Sequence, residues 1–319
     1  MTVLGLDIGG TKIAVASYTA EGQALEHETA TLAGRGGAEV GALAAELLRR
    51  VRARTESAGH AVAAAGAIIP GIWYADRGRA WAPNIPGWDD YPLLDELRDA
   101  AGGIPVAVDS DRAGYILGEA WLGEARGCRD AVFIAVGTGI GSGILVDGRI
   151  LRGARDIAGA SGWLALDRPF RKEYADTGCF EHRAAGPGIV RAALARVQES
   201  EAGSLLRSAG ASLTTADVFA AADGGDATAA SVIDDAIAYW GMAVANHVSL
   251  FDPEVVVFGG GVFGPAARYI DRIREEALRW AQPISMPRVR LAVSTLGGSA
   301  GLLGAGHLAL RTLDPENGG

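Results

Sequence analysis

One pattern occurs twice along the chain, and it restricts the possible folds more than any other feature. An apolar strand from Val3 to Asp7 runs into the tight turn Gly9-Gly10-Thr11-Lys12. A second strand follows from Ile13 to Ser17, and a turn at Ala20-Glu21-Gly22 leads to a third from Ala24 to Thr31. About 130 residues later the series repeats. Ala131 to Val136 runs into Gly137-Thr138-Gly139-Ile140-Gly141-Ser142-Gly143, Ile144 to Val146 follows, and Asp147-Gly148 turns the chain into Arg149 to Arg152. Such repetition marks an internal duplication, so the chain is expected to fold as two related α/β lobes.

The remaining segments suit that expectation. Val40, Leu43, Leu47, Leu48 and Val51 fall at helical spacing, with Gly59 as a stop. Val62 to Ile69 reads as a buried strand closed by Pro70-Gly71, and a loop holding Trp73, Trp81 and Asn84-Ile85-Pro86-Gly87-Trp88 follows. A helix from Pro92 to Ala101 leads to a strand at Ile104 to Val108, then Asp109-Ser110-Asp111, then a helical run from Tyr115 to Leu122. Gly153 to Gly188 reads as irregular. Helices are predicted over Ile189–Glu199, Thr215–Ala222, Thr228–Leu250 and Pro265–Ala281, with strands at Val255–Phe258 and Val289–Ser294. Leu296-Gly297-Gly298-Ser299-Ala300-Gly301 opens a terminal helix that runs to about Arg311.

Composition narrows the class. With 319 residues, 49% of them hydrophobic and 21% charged, the chain is long enough for two lobes. A net charge of −9 argues against non-specific nucleic-acid binding. Two cysteines, Cys128 and Cys179, exclude a disulfide framework. No apolar run approaches a membrane span and no basic-then-apolar leader opens the sequence, so no membrane partner is expected and the cytoplasm is the expected compartment.

Two turns of one design carry the first chemical signal. Glycines let backbone N–H groups approach phosphate oxygens without a Cβ in the way. In the first turn Gly9 and Gly10 do this, Thr11 adds a hydroxyl, Lys12 a charge, and Asp7 could hold Mg²⁺ directly or through water. Gly137, Thr138 and Gly139 make the second. Either turn alone is as well explained by an ordinary glycine hairpin; the pair in a duplicated context is far more specific. Neither is a Walker loop. Gly259-Gly260-Gly261, between strand and helix, could admit a flat base or ribose, or be a crowded turn. Asn84 in its Trp-bearing loop suits sugar hydroxyls, or is a Pro/Asn/Gly turn residue. At the strand end, Asp111 or Asp109 could accept the proton of an attacking hydroxyl, or cap the next helix. Cys179 and His182 are too few ligands for zinc.

With these residues assembled, the sequence resembles the ROK family (repressors, open reading frames and sugar kinases) over residues 3 to 310. The matching motifs are Leu6-Asp7-Ile8-Gly9-Gly10-Thr11-Lys12, Pro70-Gly71, Asn84-Ile85-Pro86-Gly87-Trp88, Val136-Gly137-Thr138-Gly139-Ile140-Gly141, Leu213-Thr214-Thr215-Ala216-Asp217-Val218-Phe219, Asp252-Pro253-Glu254-Val255-Val256, Gly259-Gly260-Gly261 and Leu296-Gly297-Gly298-Ser299-Ala300-Gly301-Leu302. The resemblance implies a duplicated actin/hexokinase-like (ribonuclease H-like) two-lobed fold with a cleft. The expected lobes are residues 1–112 with a C-terminal helix at 301–319, and residues 113–300. It also implies transfer of the γ-phosphoryl of ATP, with Mg²⁺, to a sugar hydroxyl, and a homodimer.

The family's Glu-Asn-Asp motif matches Asp109-Ser110-Asp111, which makes Asp111 the implied base and puts Ser110 where a sugar-binding Asn is usual. The family's Ala-Gly-Glu-x-Gly-His motif reads Ala158-Gly159-Ala160-Ser161-Gly162-Trp163, so Ala160 and Trp163 replace a sugar-binding Glu and a His that binds sugar and zinc. Of the zinc cysteines only Cys179 remains, and no structural zinc is expected. Glu181 matches the family's last sugar-binding Glu, and Gly71 and Asn84 complete the expected acceptor set. Each lost charge-assisted hydrogen bond would cost roughly 1.5–3 kcal/mol. The expected acceptor is therefore the primary hydroxyl of a modified hexose, such as the amino sugar kanosamine, or of a C7-cyclitol. An ordinary glucokinase and a non-catalytic sugar sensor are the alternatives. The repressor members carry a helix-turn-helix ahead of the kinase-like part, and none is expected here, with the first strand at Val3.

Overall fold

The computed structural model describes residues 1–199, 203–208 and 210–314. In chain order the strands are β1 (Thr2–Ile8), β2 (Lys12–Thr19), β3 (Ala24–Thr31), β4 (Val62–Ile69), β5 (Ile72–Tyr74), β6 (Arg79–Trp81), β7 (Val106–Ser110), β8 (Ala131–Val136), β9 (Ile140–Val146), β10 (Arg149–Ile150), β11 (Val255–Gly259) and β12 (Arg290–Val293). The helices are α1 (Gly37–Ser57), α2 (Leu93–Ala101), α3 (Asp111–Leu122), α4 (Tyr174–Thr177), α5 (Cys179–Ala184), α6 (Gly186–Glu199), α7 (Thr215–Asp223), α8 (Ala227–Phe251), α9 (Ile270–Trp280) and α10 (Ala300–Arg311).

Two five-stranded sheets have matching order, β3-β2-β1-β4-β7 and β10-β9-β8-β11-β12. In the first, β1 pairs antiparallel with β2 and parallel with β4. In the second, β8 pairs parallel with β11, and β11 with β12. The duplication expected from the turns is therefore a duplication of topology. The chain forms two compact units, residues 1–129 with 143–158 and 295–319, and residues 130–142 with 159–294.

In the first unit the two-residue period of β1 divides its side chains between two layers. Leu4, Leu6 and Ile8 join Val40, Leu47, Leu48 and Leu97 in a core with α1 and α2. Val3 faces the other way, toward Leu302 and Ala309 of α10. Asp7, two pleats along from Val3, lies on the α10 side as well. Close approach on that side depends on small residues: a Cβ at Gly304 would stand 1.7 Å from the carbonyl oxygen of Gly114, so α3 and α10 touch backbone to backbone. This contact keeps α3 in the first unit, so the unit runs past the break expected at residue 112. The terminal helix ends at Arg311, where the sequence pattern places its end; residues 315–319 lie outside the described residues.

Several local expectations shift. Strand β7 is two residues late because its parallel pairing with β4 carries through Ile68↔Asp109 and Ile69↔Ser110. Helix α3 then starts at Asp111 rather than Tyr115, since Ser110 caps it. Strand β9 begins at Ile140, inside the predicted Gly/Thr turn. The Trp-bearing loop contains the hairpin β5–β6, and the segment read as irregular contains α4 and α5, both too short to show a helical period. The helix predicted from Pro265 begins as a 3₁₀ turn, Pro265–Tyr269.

Candidate active site

The first unit gathers two carboxylates and a glycine turn at the ends of β1 and β7. In the turn, Gly9 N–H donates to the Lys12 carbonyl at 2.9 Å. Gly10 lies against Asn84: a Cβ there would come within 3.0 Å of the Asn84 Cβ. The turn and the Asn84 loop, 74 residues apart in number, are thereby adjacent. That loop is held from behind, where Trp88 stacks on Tyr91 at 4.6 Å and its indole N–H donates to the Gly37 carbonyl at 3.0 Å. Gly71 answers a packing demand, because a Cβ would stand 2.0 Å from the Trp81 carbonyl oxygen.

Asp7 keeps a partly accessible edge, yet burial pushes its pKa up to about 6, against the opposing charge of Lys12. Asp111 has the same character. Burial pushes it up to about 6, the Arg112 charge pulls it down, and the negative charge of Asp7 pushes it up further. Asp111 therefore senses the charge of Asp7. Glycine at position 301 leaves room for this arrangement, since a Cβ there would stand 2.8 Å from Asp7 Oδ2 and 3.3 Å from the Tyr115 ring. Burial also raises the Tyr115 phenol, with smaller contributions from Asp111 and Asp7.

The strand-end alternative has a definite outcome. The residue that caps α3 is Ser110, whose Oγ accepts from Ala113 N–H at 3.3 Å. Asp111 is the first helical residue, with Oδ1 accepting from Arg112 N–H at 2.8 Å, so its second oxygen has no partner within the helix end. Ser110 is only 7% exposed, which turns its side chain to capping. Asp109, 4% exposed, is engaged differently: its Oδ2 accepts from both Nε (3.0 Å) and Nη2 (2.7 Å) of Arg152. The Arg152 pairing went unseen in the sequence, where that residue read as the end of a strand. Its only signal was the need of a buried carboxylate for a counter-ion.

The second unit holds the other glycine turn and a cavity. Gly137 N–H donates to the Gly139 carbonyl at 3.0 Å, and Gly186 N–H to the Gly137 carbonyl at 2.9 Å. Gly260 has φ +89°, and a Cβ there would stand 2.4 Å from the Val136 carbonyl oxygen. The turn after β8 and the turn after β11 are thus packed backbone to backbone. Beside them opens a cavity of about 750 Å³ lined by Gly137, Thr138, Gly186, Thr215, Gly261 and Val262, with Leu194, Leu213 and Pro265 giving it apolar walls. Two of the three predicted glycine turns therefore meet at one cavity. Helices α6 and α7, both predicted from their periodicity, give the cavity its helical walls, a role that periodicity does not signal. Thr215 Oγ1 donates to the Gly186 carbonyl at 3.0 Å, and Thr214 with Asp217 forms a capping box that starts α7.

The remaining expected acceptor residues lie in the same unit. Glu181 on α5 is half-buried, and its Oε2 accepts from Ile140 N–H at 2.7 Å. Burial raises its pKa above the ordinary value. A Cβ on Gly162 would come within 3.0 Å of that carboxylate, which puts the Ala160–Trp163 turn beside it. Ala160 is partly exposed and Trp163 is 56% exposed, an apolar face turned to solvent.

The ROK family profile matches residues 3–312. Glucokinase of Halalkalibacterium halodurans is 34% identical over 311 residues, which span 96% of this chain and 94% of that one. The ROK hexokinase structure from Thermus thermophilus superposes with a TM-score of 0.81 at 32% identity, covering 98% of this chain and 99% of that chain. A Streptomyces griseus ROK glucokinase, solved in complex with glucose and AMPPNP, gives a TM-score of 0.72 at 30% identity over 98% and 100% of the two chains. The fold and these relatives define an ATP-dependent carbohydrate kinase. The chain belongs to the ROK family.

Proposed function

We propose that this kinase phosphorylates the primary hydroxyl of a modified hexose, such as an amino sugar, or of a C7-cyclitol, with Asp111 as the base. The observation that carries the catalytic part is the pair Asp7–Asp111: two carboxylates raised by burial at the ends of β1 and β7, with Asp111 raised further by Asp7 and holding one oxygen outside its helix-end hydrogen bond. A carboxylate with its pKa near 6 is ionised at neutral pH and is a stronger proton acceptor than an ordinary Asp. In this reading Asp111 takes the hydroxyl proton as oxygen attacks the γ-phosphorus. The N–H groups of Gly10 and Gly139 and the hydroxyls of Thr11 and Thr138 hold phosphate oxygens, Gly9 and Gly137 close the two turns through their own N–H bonds, and Lys12 offsets the phosphate charge. The cavity by Gly137, Gly260 and Gly261 suits a nucleoside, with apolar walls for the base.

Two raised carboxylates also fit a divalent cation, which would relieve their repulsion. Asp7, with Asp111 near it, would hold Mg²⁺, and the ion would neutralise charge on the transferred phosphoryl group. No zinc is part of the reading. Among the described residues, no helix is long and apolar enough to cross a membrane. The reading takes the protein as a cytoplasmic homodimer; sedimentation velocity tests the assembly.

Support for an altered acceptor comes from Ser110, Ala160 and Trp163. The first spends its hydroxyl on a helix cap, the second has no polar group, and the third presents an aromatic face. Glu181 alone among these positions keeps a carboxylate. Plain glucose is the second reading, favoured by the 34% identity to a glucokinase. ATP consumption over glucose, mannose, N-acetylmannosamine, kanosamine and C7-cyclitols decides. Preference for an amino sugar or cyclitol by kcat/KM supports the first reading; preference for glucose establishes the second.

A further inference from the structure

Three side chains of the second unit form a buried chain of hydrogen bonds. His247 on α8 is 4% exposed, Ser142 on β9 1%, and Ser161, in the 3₁₀ turn Ser161–Trp163, 6%. His247 Nδ1 lies 2.7 Å from the Ala243 carbonyl oxygen, Nε2 lies 3.2 Å from Ser142 Oγ, and Ser142 Oγ lies 2.6 Å from Ser161 Oγ. The Ala243 carbonyl accepts only, so the ring proton sits on Nδ1 and Nε2 is bare. Ser142 therefore donates to Nε2, and Ser161 donates to Ser142. All three hydroxyl and imidazole protons have one consistent direction, and burial favours the neutral imidazole this direction needs.

The chain of bonds ends on the turn that carries Ala160, Gly162 and Trp163. The same strand grips that turn a second time, since Ser142 N–H donates to the Gly159 carbonyl at 2.7 Å. Two residues earlier, Ile140 N–H holds Glu181, whose carboxylate lies within 3.0 Å of where a Gly162 Cβ would be. The first residues of β9 thus fasten both sides of the surface formed by Glu181 and the Ala160–Trp163 turn. Ile140 and Ser142 lie only one and three residues past Gly139, so that surface is referenced to the phosphate turn itself.

We propose that His247, Ser142 and Ser161 are positioning residues for acceptor recognition: their buried relay sets the Ala160–Trp163 turn against Glu181, and none of the three touches substrate. This rests on the reading of Glu181 and the turn as the acceptor surface. A serine-to-serine-to-histidine chain is directional and satisfiable in one arrangement only, so it selects a single placement of the turn where apolar packing alone would accept several.

The test uses the full-length protein and the most rapidly phosphorylated member of the acceptor panel. Ser161→Ala removes one hydroxyl while leaving Ser142 and His247 paired. The expected result is a rise in acceptor KM on the order of tenfold, with the KM for ATP within about twofold and a smaller change in kcat. Hydrogen–deuterium exchange of peptides spanning 159–164 should accelerate in the same variant, without any ligand. His247→Ala should repeat both effects, and Ser161→Thr, which keeps the hydroxyl, should restore acceptor KM. An unchanged acceptor KM together with unchanged exchange in Ser161→Ala overturns the proposal, as does a fall in melting temperature with no selective change in acceptor KM. Glu181→Gln separates the two levels of argument. If that substitution leaves acceptor KM unaltered, the reading of the acceptor surface fails; if it raises KM while the relay variants do not, the relay alone fails.

Discussion

Replacing Arg152 by Ala should destabilise the first unit, and by more at alkaline than at acidic pH. Asp109 is 4% exposed and both hydrogen bonds to its Oδ2 come from one guanidinium, while the Arg152 side chain is 35% exposed. Deleting one member of a buried pair typically costs about 3–5 kcal/mol, because the other charge is left uncompensated. Water reaches the Arg152 side of this pair, and Asp109 retains the Ser110 N–H donor at 2.8 Å, so about 2–3 kcal/mol is the expected loss. In a unit of this size that lowers the melting temperature by roughly 4–12 °C. Burial already holds the Asp109 pKa above its ordinary 3.8, with Arg152 opposing the shift. The folded state therefore takes up this proton more readily than the unfolded chain, and more so without Arg152. The penalty is complete where Asp109 is ionised, above its folded pKa, and shrinks as pH falls through that value. Urea denaturation of wild type and Arg152→Ala at pH 8 and pH 5 measures this, with Asp109→Asn/Arg152→Ala as the double variant. A destabilisation equal at the two pH values, or no recovery in the double variant, refutes the argument.

Other outcomes follow from the same geometry. Asp111→Asn should retain acceptor and nucleotide binding by calorimetry while kcat falls by a factor on the order of 10²–10⁴; turnover near wild type would remove Asp111 from the base position. In its proposed role as base Asp111 must be ionised, so kcat/KM should hold above and decline below about pH 6, where an ordinary Asp would sustain activity to about pH 4. Gly260→Ala places a Cβ 2.4 Å from the Val136 carbonyl oxygen at a φ of +89°, and should weaken AMPPNP binding measurably by calorimetry with the acceptor affinity retained. Gly304→Ala should lower thermal stability by about 1–3 kcal/mol, read by calorimetric melting, because its Cβ would meet backbone rather than a movable side chain.

The sequence was most informative where a function needs a local backbone shape. Gly9-Gly10-Thr11, Gly137-Thr138-Gly139 and Gly259-Gly260-Gly261 are contiguous, and glycine advertises its reason in the letter itself. The two-residue and 3.6-residue periods likewise marked both sheets and the long helices. Short elements, the hairpin β5–β6 and helices α4 and α5, left no period to read.

What depended on distant partners was not legible. Whether Asp109 or Asp111 holds the free carboxylate oxygen is decided by Arg152, 43 residues from Asp109, and by where parallel pairing with β4 ends β7. That Ser110 is a cap follows from the same strand end. The cavity beside Gly137 requires α6 and α7, and the bond from Ser142 to His247 spans 105 residues. By itself the sequence determined the duplicated strand-and-turn plan and the place of the glycine turns and strand-end carboxylates, because turns and periodicity are short-range properties of the chain. Only the tertiary structure decided which charges pair, which carboxylates are raised and which serine caps a helix, because burial and Coulomb interaction depend on distances that chain order does not specify.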